Sequence, residues 1–107
     1  MENRFEIKNF LLIENNIVEI ENVIFQLLQK LYPNCKMNHT ITINPKIQIT
    51  YTIMLDQTMP SCLIISISSN MNTTTVFFQN MPPKSDIKYS TNTLFDKIKE
   101  VIKNTKI

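Results

Sequence analysis

The chain has 107 residues, a net charge of +2 and no glycine. Phosphate-binding loops and dinucleotide-binding turns need glycine where the backbone approaches the ligand or adopts a positive φ, so the composition excludes both a P-loop and a Rossmann turn. A chain of this length typically forms one compact domain, and we therefore expect a single domain over residues 1–107.

Cysteine usage and the apolar runs limit where the protein can act. Two cysteines, Cys35 and Cys62, are too few for the disulfide framework of a small secreted domain. The N-terminal residues do not show the basic start and long apolar run of a signal peptide, and no run is long enough to cross a bilayer. We expect a cytoplasmic or nuclear protein without a membrane span.

The first third of the chain predicts one helix. Residues 5–13 begin with alternating polarity and end in an apolar run, which is compatible with an extra strand or with an early helical turn, so we expect residues 1–14 to form an extra strand or an extension. The pair Asn15 and Asn16 is typical of an N-cap, with Glu19 as the acidic member of a capping box, and Pro33 ends the helix. Apolar residues recur at helical spacing on one side: Ile17, Ile20, Ile24, Leu27 and Leu31.

Additional apolar residues widen the apolar side of this helix. They are Val18, Val23, Phe25 and Leu28. A helix that packs on a single surface usually needs a narrower stripe. The pattern therefore predicts a second contact for the helix, within the fold or with a partner.

The middle of the chain predicts an antiparallel meander. Between His39 and Asn80 the apolar period changes to two, in runs at 40–43, 46–55, 62–69 and 73–79. Asn44-Pro45 lies between the first two runs, which are either separate strands or one strand with a proline kink. The meander therefore has three or four strands.

The longest predicted strand has one apolar and one polar side. Its apolar side carries Ile47, Ile49, Tyr51, Ile53 and Leu55. The opposite side of the sheet collects hydroxyls and amides and holds almost no charge. We assign a partner interface to five of these polar residues: Gln48, Thr50, Thr52, Ser66 and Ser68.

The last part of the chain predicts a closing helix. It follows Pro82-Pro83 and a loop, with Thr93 as the N-cap and Asp96 three residues later. Its core side consists of Leu94, Phe95, Ile98, Val101 and Ile102. The predicted fold class is α+β, with an N-terminal and a C-terminal helix on one face of a three- or four-stranded antiparallel meander, in the order α-β-β-β(-β)-α.

Residues with catalytic or metal-binding chemistry are sparse. Cys35, His39 and Cys62 are the only soft metal-ligand candidates, and no Cys-x-x-Cys pair is present, whereas zinc sites typically use three or four protein ligands. Asp56 and Asp86 fall in predicted loops without an evident acid/base partner. The sequence therefore predicts no catalytic residue, no metal, no cofactor and no enzyme activity.

Basic residues are concentrated near the C-terminus. Residues 84–107 carry six Lys against three acidic residues, and Lys46 is the one basic residue on or near the longest predicted strand. Phosphate contact requires basic residues on one surface. The candidate RNA-binding residues are Lys46, Lys84 and Lys88. Lysines near a helix C-terminus also complement the helix dipole, which is the alternative explanation of this charge.

The order of elements and five hydrophobic runs resemble the small Alu-domain subunits of the signal recognition particle. The runs are residues 25–32, 47–51, 62–67, 75–78 and 94–98. In that family two such subunits form a heterodimer whose curved sheet holds Alu RNA. The resemblance implies a non-catalytic ribonucleoprotein subunit that acts in protein targeting, with RNA contact at Lys46, Lys84 and Lys88.

A second set of features resembles RWD domains, which are protein-interaction modules. These features are Leu31-Tyr32-Pro33 at the end of the first helix, the meander, a proline-marked loop at Met59-Pro60 or Pro82-Pro83, and the closing helix. This resemblance implies an adaptor subunit of a multiprotein complex. Both interpretations predict a protein partner, in a heterodimer or a homodimer, and the first also predicts a structured RNA.

Overall fold

The computed structural model describes residues 2–56, 61–81 and 88–104. Over these residues the elements are β1 (Glu2–Lys8), α1 (Glu14–Leu31), β2 (Lys36–Thr42), β3 (Gln48–Asp56), β4 (Ser61–Asn70), β5 (Thr73–Met81) and α2 (Thr91–Asn104). The described strands form one antiparallel sheet in the order β1-β5-β4-β3-β2. The predicted α+β class is confirmed.

The sheet has one strand more than the larger predicted meander. Residues 43–47 separate β2 from β3, so the meander has four strands, and β2 begins at Lys36 rather than at the predicted Thr40. Residues 2–8 form a fifth strand, which pairs with β5 along its whole length. Ile7 of this strand is 2% exposed and completes the core at that edge of the sheet.

Helix α1 begins earlier than the sequence predicted. Its N-cap is Ile13, and Asn16 is its third residue. The Ile13 N–H donates to Asn16 Oδ1 at 2.9 Å, so the asparagine bonds back to the cap instead of forming it. The predicted cap at Asn15 or Asn16 was therefore wrong. The buried side of the helix also differs from the predicted stripe, because Leu28 is fully buried whereas Leu31 is 38% exposed.

Helix α2 begins two residues before its predicted cap. Ser90 precedes the helix and its Oγ accepts the Thr93 N–H at 3.3 Å, which is the N-cap to N3 bond. Ser90 is therefore the cap, and the prediction of Thr93 was wrong. All five predicted core residues of this helix are buried: Leu94, Phe95, Ile98, Val101 and Ile102.

The core lies between the two helices and one face of the sheet. The Tyr51 hydroxyl of β3 donates to the carbonyl of Ile17 in α1 at 3.1 Å. Toward the opposite edge of the sheet, the Phe5 ring of β1 stacks on Phe95 of α2 at a centroid distance of 4.4 Å. These contacts join each helix to the strands beneath it.

A chain of buried hydroxyls fixes the connection from β1 to α1. The Leu12 N–H donates to Ser69 Oγ at 2.8 Å, and Thr74 Oγ1 donates to the Phe10 carbonyl at 2.7 Å. Ser69 and Thr74 lie 2.8 Å apart. Since the Thr74 proton is used on Phe10, the Ser69 hydroxyl donates to Thr74. Two backbone groups of the connecting segment are therefore satisfied by side chains at the ends of β4 and β5.

Candidate functional site: the open face of the sheet

Both helices cover the same face of the sheet. Tyr51, which bonds to α1, lies in one cross-strand row with Ile65 and Phe78. Phe5, which stacks on α2, meets Phe78 edge-on at 5.7 Å. Because side chains alternate along a strand, the other side chains of each strand point away from the helices. We call that side the open face.

The open face is defined by the register of the five strands. It consists of the even-numbered positions of β1 to β4 and the odd-numbered positions of β5. One row shows the pattern, with Thr40, Thr50, Ser66, Phe77 and Arg4 opposite one another on successive strands.

All five residues predicted for a partner interface lie on the open face. Thr50 is opposite Ser66, and Gln48 is opposite Ser68. Thr52 lies two residues farther along β3 and is exposed. The structure therefore brings together residues from two strands that the sequence placed on one surface by alternation alone.

Among the described side chains, charge on the open face is confined to the two edge strands. Strand β1 contributes Glu2, Arg4, Glu6 and Lys8, and β2 contributes Lys36. The described open-face side chains of β3, β4 and β5 include no charged residue. The described middle of the surface is therefore neutral over three adjacent strands.

Apolar side chains interrupt the hydroxyls and amides of the open face. Met54, Cys62 and Met81 form one cross-strand row at the end of the sheet, and Met54 and Met81 are 39% and 47% exposed. Phe77 lies near the middle, with the Arg4 guanidinium 5.5 Å from its ring centroid. We did not predict Phe77 or Met81 as surface residues, although the alternation along residues 73–81 places both on the side of the strand that faces away from the core.

The three candidate RNA-binding lysines do not form one described surface. Lys46 lies in the turn after β2. Lys88 lies near the start of β2, because its N–H donates to the Tyr32 hydroxyl at 2.8 Å. A strand of seven residues spans roughly 20 Å, which puts Lys46 and Lys88 at opposite ends of the sheet. Lys84 is outside the described residues.

The chemically reactive side chains are dispersed. Cys35 is buried and Cys62 half-buried, both are free, and burial raises the pKa of each thiol. His39 Nδ1 lies 2.8 Å from Glu21 Oε1, which links β2 to α1. In the described parts of the chain no group of three or more His, Cys, Asp and Glu is placed to hold a metal. Asp86 and the Asp56 side chain are outside the described residues.

The clefts on the helix side are small. One lies between α1 and α2, is lined by Glu19, Val23, Lys97 and Glu100 among others, and has a volume of about 140 Å³. Small-molecule sites typically enclose roughly 300–1,000 Å³. Across the described segments, neither helix combines the length and apolarity needed to cross a membrane.

Comparison with protein-family models and with curated proteins finds no match to this chain.

Proposed function

We propose that the chain is a non-catalytic subunit of a complex and that its open face binds a protein partner. The observation that carries the proposal is that the described middle of this face is neutral over three adjacent strands and that neither helix covers it. Interface cores are depleted in charged residues and enriched in aromatic residues and Met. Phe77, Met54 and Met81 share this face with hydroxyls and amides, and together these side chains give it this composition.

This proposal corresponds to the adaptor role implied by the RWD resemblance. In it, Gln48, Thr50, Thr52, Ser66 and Ser68 supply hydrogen bonds around the apolar residues. The two free cysteines support a reducing compartment, the cytoplasm or the nucleus.

The alternative function is RNA binding on the same face, as the Alu-subunit resemblance implies. One feature favours it: the Arg4 guanidinium lies against the Phe77 ring on the open face. An aromatic ring with a neighbouring cation can stack on a nucleobase and contact its phosphate. Lys46 and Lys88 would then bind phosphates at opposite ends of the sheet, and Lys84 remains the third candidate residue for phosphate contact.

The test places a lysine on the open face and follows complex formation in the native cells. Thr52→Lys and Thr50→Lys should reduce recovery of the partner at least tenfold, because an unpaired charge would be buried at the interface. Asn22→Lys, on the exposed side of α1, is the matched control. Circular dichroism should show all three variants folded. Undiminished recovery by both open-face variants would exclude this surface.

Ribonuclease treatment separates the two functions. Protein partners whose recovery is unchanged by ribonuclease but is reduced by Thr52→Lys support the adaptor proposal. Recovery of a structured RNA supports the alternative, in which the triple reversal of Lys46, Lys84 and Lys88 to Glu should weaken RNA binding. The reversal should also flatten the salt dependence of binding, by about one unit of log–log slope for each phosphate that a lysine no longer neutralises.

A further inference from the structure

Strand β1 is one of the two edge strands of the described sheet. One side of β1 pairs with β5, and no described strand lies on its other side. An exposed edge presents backbone donors and acceptors to any strand that can approach it. Natural edges are usually blunted by charged side chains, so the arrangement of charge on β1 decides which strand can pair with it.

The charges on β1 alternate in sign along its open face. Glu2, Arg4, Glu6 and Lys8 are all exposed and occupy successive positions on that face. In an antiparallel pair related by a two-fold axis at Phe5, residue 2 faces residue 8 and residue 4 faces residue 6. Glu2 then faces Lys8 of the second copy, and Arg4 faces Glu6. Symmetry repeats both contacts, so every charged side chain on the strand faces an opposite charge.

The neighbouring registers that keep both open faces on one side are unfavourable. With the axis at Arg4, Glu2 faces Glu6 and Arg4 faces its own copy. With the axis at Glu6, Arg4 faces Lys8 and Glu6 faces its own copy. Like charges directly opposite one another destabilise a strand pair. The sequence of β1 therefore selects one register of self-pairing.

The other face of β1 fits the same register. Phe5 lies on the axis, is partly buried, and is held by stacking on Phe95 at 4.4 Å. The exposed part of its ring would meet Phe5 of the second copy. Aromatic pairs across adjacent strands stabilise a sheet. The second edge strand, β2, has no comparable self-complementarity, because Lys36 would face the uncharged Thr42 in its own symmetric pair.

We propose that the β1 edge binds the β1 edge of a second copy of this chain, antiparallel and centred on Phe5. The two sheets then join into one continuous sheet with both pairs of helices on the same side. This interaction is separate from the open-face function proposed above, because it uses the strand edge and a second copy of the chain.

Exchange of charges between two variants tests the register. Wild-type protein should show a mass of twice 12.5 kDa by light scattering at micromolar concentrations. Arg4→Glu and Glu6→Arg each turn two attractive contacts into two repulsive ones and should weaken dimerisation at least tenfold. Mixing the two variants should restore a dimer, since two glutamates on one chain then face two arginines on the other. The double swap R4E/E6R should also dimerise.

Lys36→Glu on β2 is the control and should leave the dimer unchanged. Arg4→Glu also removes the interaction with the Phe77 ring, and the double swap shares that loss. If the double swap still dimerises, the weaker dimer of Arg4→Glu comes from the lost contacts between copies and not from a disturbed fold. A wild-type monomer throughout the concentration range would overturn the proposal. So would dimers that survive both single reversals, or a mixture of the two variants that stays monomeric.

Discussion

The buried hydroxyl chain makes a strong prediction about stability. Ser69 accepts the Leu12 N–H at 2.8 Å and lies 2.8 Å from Thr74. Ser69 is 8% exposed and Leu12 is 3% exposed, so water has little access to this bond. Ser69→Ala leaves the Leu12 N–H without its acceptor and removes the hydroxyl that donates to Thr74.

The expected loss of stability follows from the unpaired amide. Leaving a buried donor without its acceptor costs about 1–3 kcal/mol of stability, whereas losing a surface hydrogen bond that water can replace costs less. We expect Ser69→Ala to lower the free energy of unfolding by about 2 kcal/mol. For a domain of this size, that change lowers the melting temperature by about 10 °C.

Urea unfolding followed by circular dichroism measures this difference against a neighbouring control. Ser68→Ala removes a hydroxyl from the open face on the same strand, and its effect should stay within about 0.5 kcal/mol. If the two alanine variants were equally stable, the hydroxyl chain would not hold the β1–α1 connection and the reasoning would be refuted.

Two further predictions concern α2 and the segment before it. Ser90→Ala should destabilise the domain by about 1 kcal/mol in thermal unfolding because it removes the N-cap, whereas Thr93→Ala, at the cap predicted from sequence, should have a smaller effect. Burial, with a smaller contribution from Tyr32, raises the pKa of Tyr89 from 10.0 to about 12. Between these values the unfolded chain loses a proton that the folded chain retains, so stability should fall by up to about 1.4 kcal/mol per pH unit. Tyr89→Phe should reduce this slope in urea titrations from about pH 9 to 12, and an unchanged slope would contradict the assignment.

The predictable part of the fold depended on local periodicity. The alternation in β3 and the helical spacing in α2 identified their buried sides because each pattern repeats within one element. The same alternation placed Thr50 and Ser66 on one surface without any knowledge of strand order. These features need no information about distant residues.

The unpredicted part depended on contacts between distant residues. Strand β1 forms because it pairs with β5, about 70 residues later, and residues 5–13 alone were compatible with either strand or helix. The apolar Ile13 was not an evident cap, since Asn16 supplies the bond from inside the helix. Asn9 and Met71 adopt the positive φ that glycine usually supplies, and the chain contains no glycine that could have marked these two positions in the sequence.

The distribution of charge separates two kinds of contact on the same sheet. A neutral middle suits a surface that is desolvated by a partner, because burying an unpaired charge there would be costly. Alternating charge on an edge strand suits selection among registers, because each shift by two residues exchanges attraction for repulsion. In the proposed dimer the two open faces lie side by side, with the matched charges of β1 along the junction. Each charge at the junction would therefore lie opposite a charge of the other sign. A partner could then bind across both open faces without burying an unpaired charge at the junction.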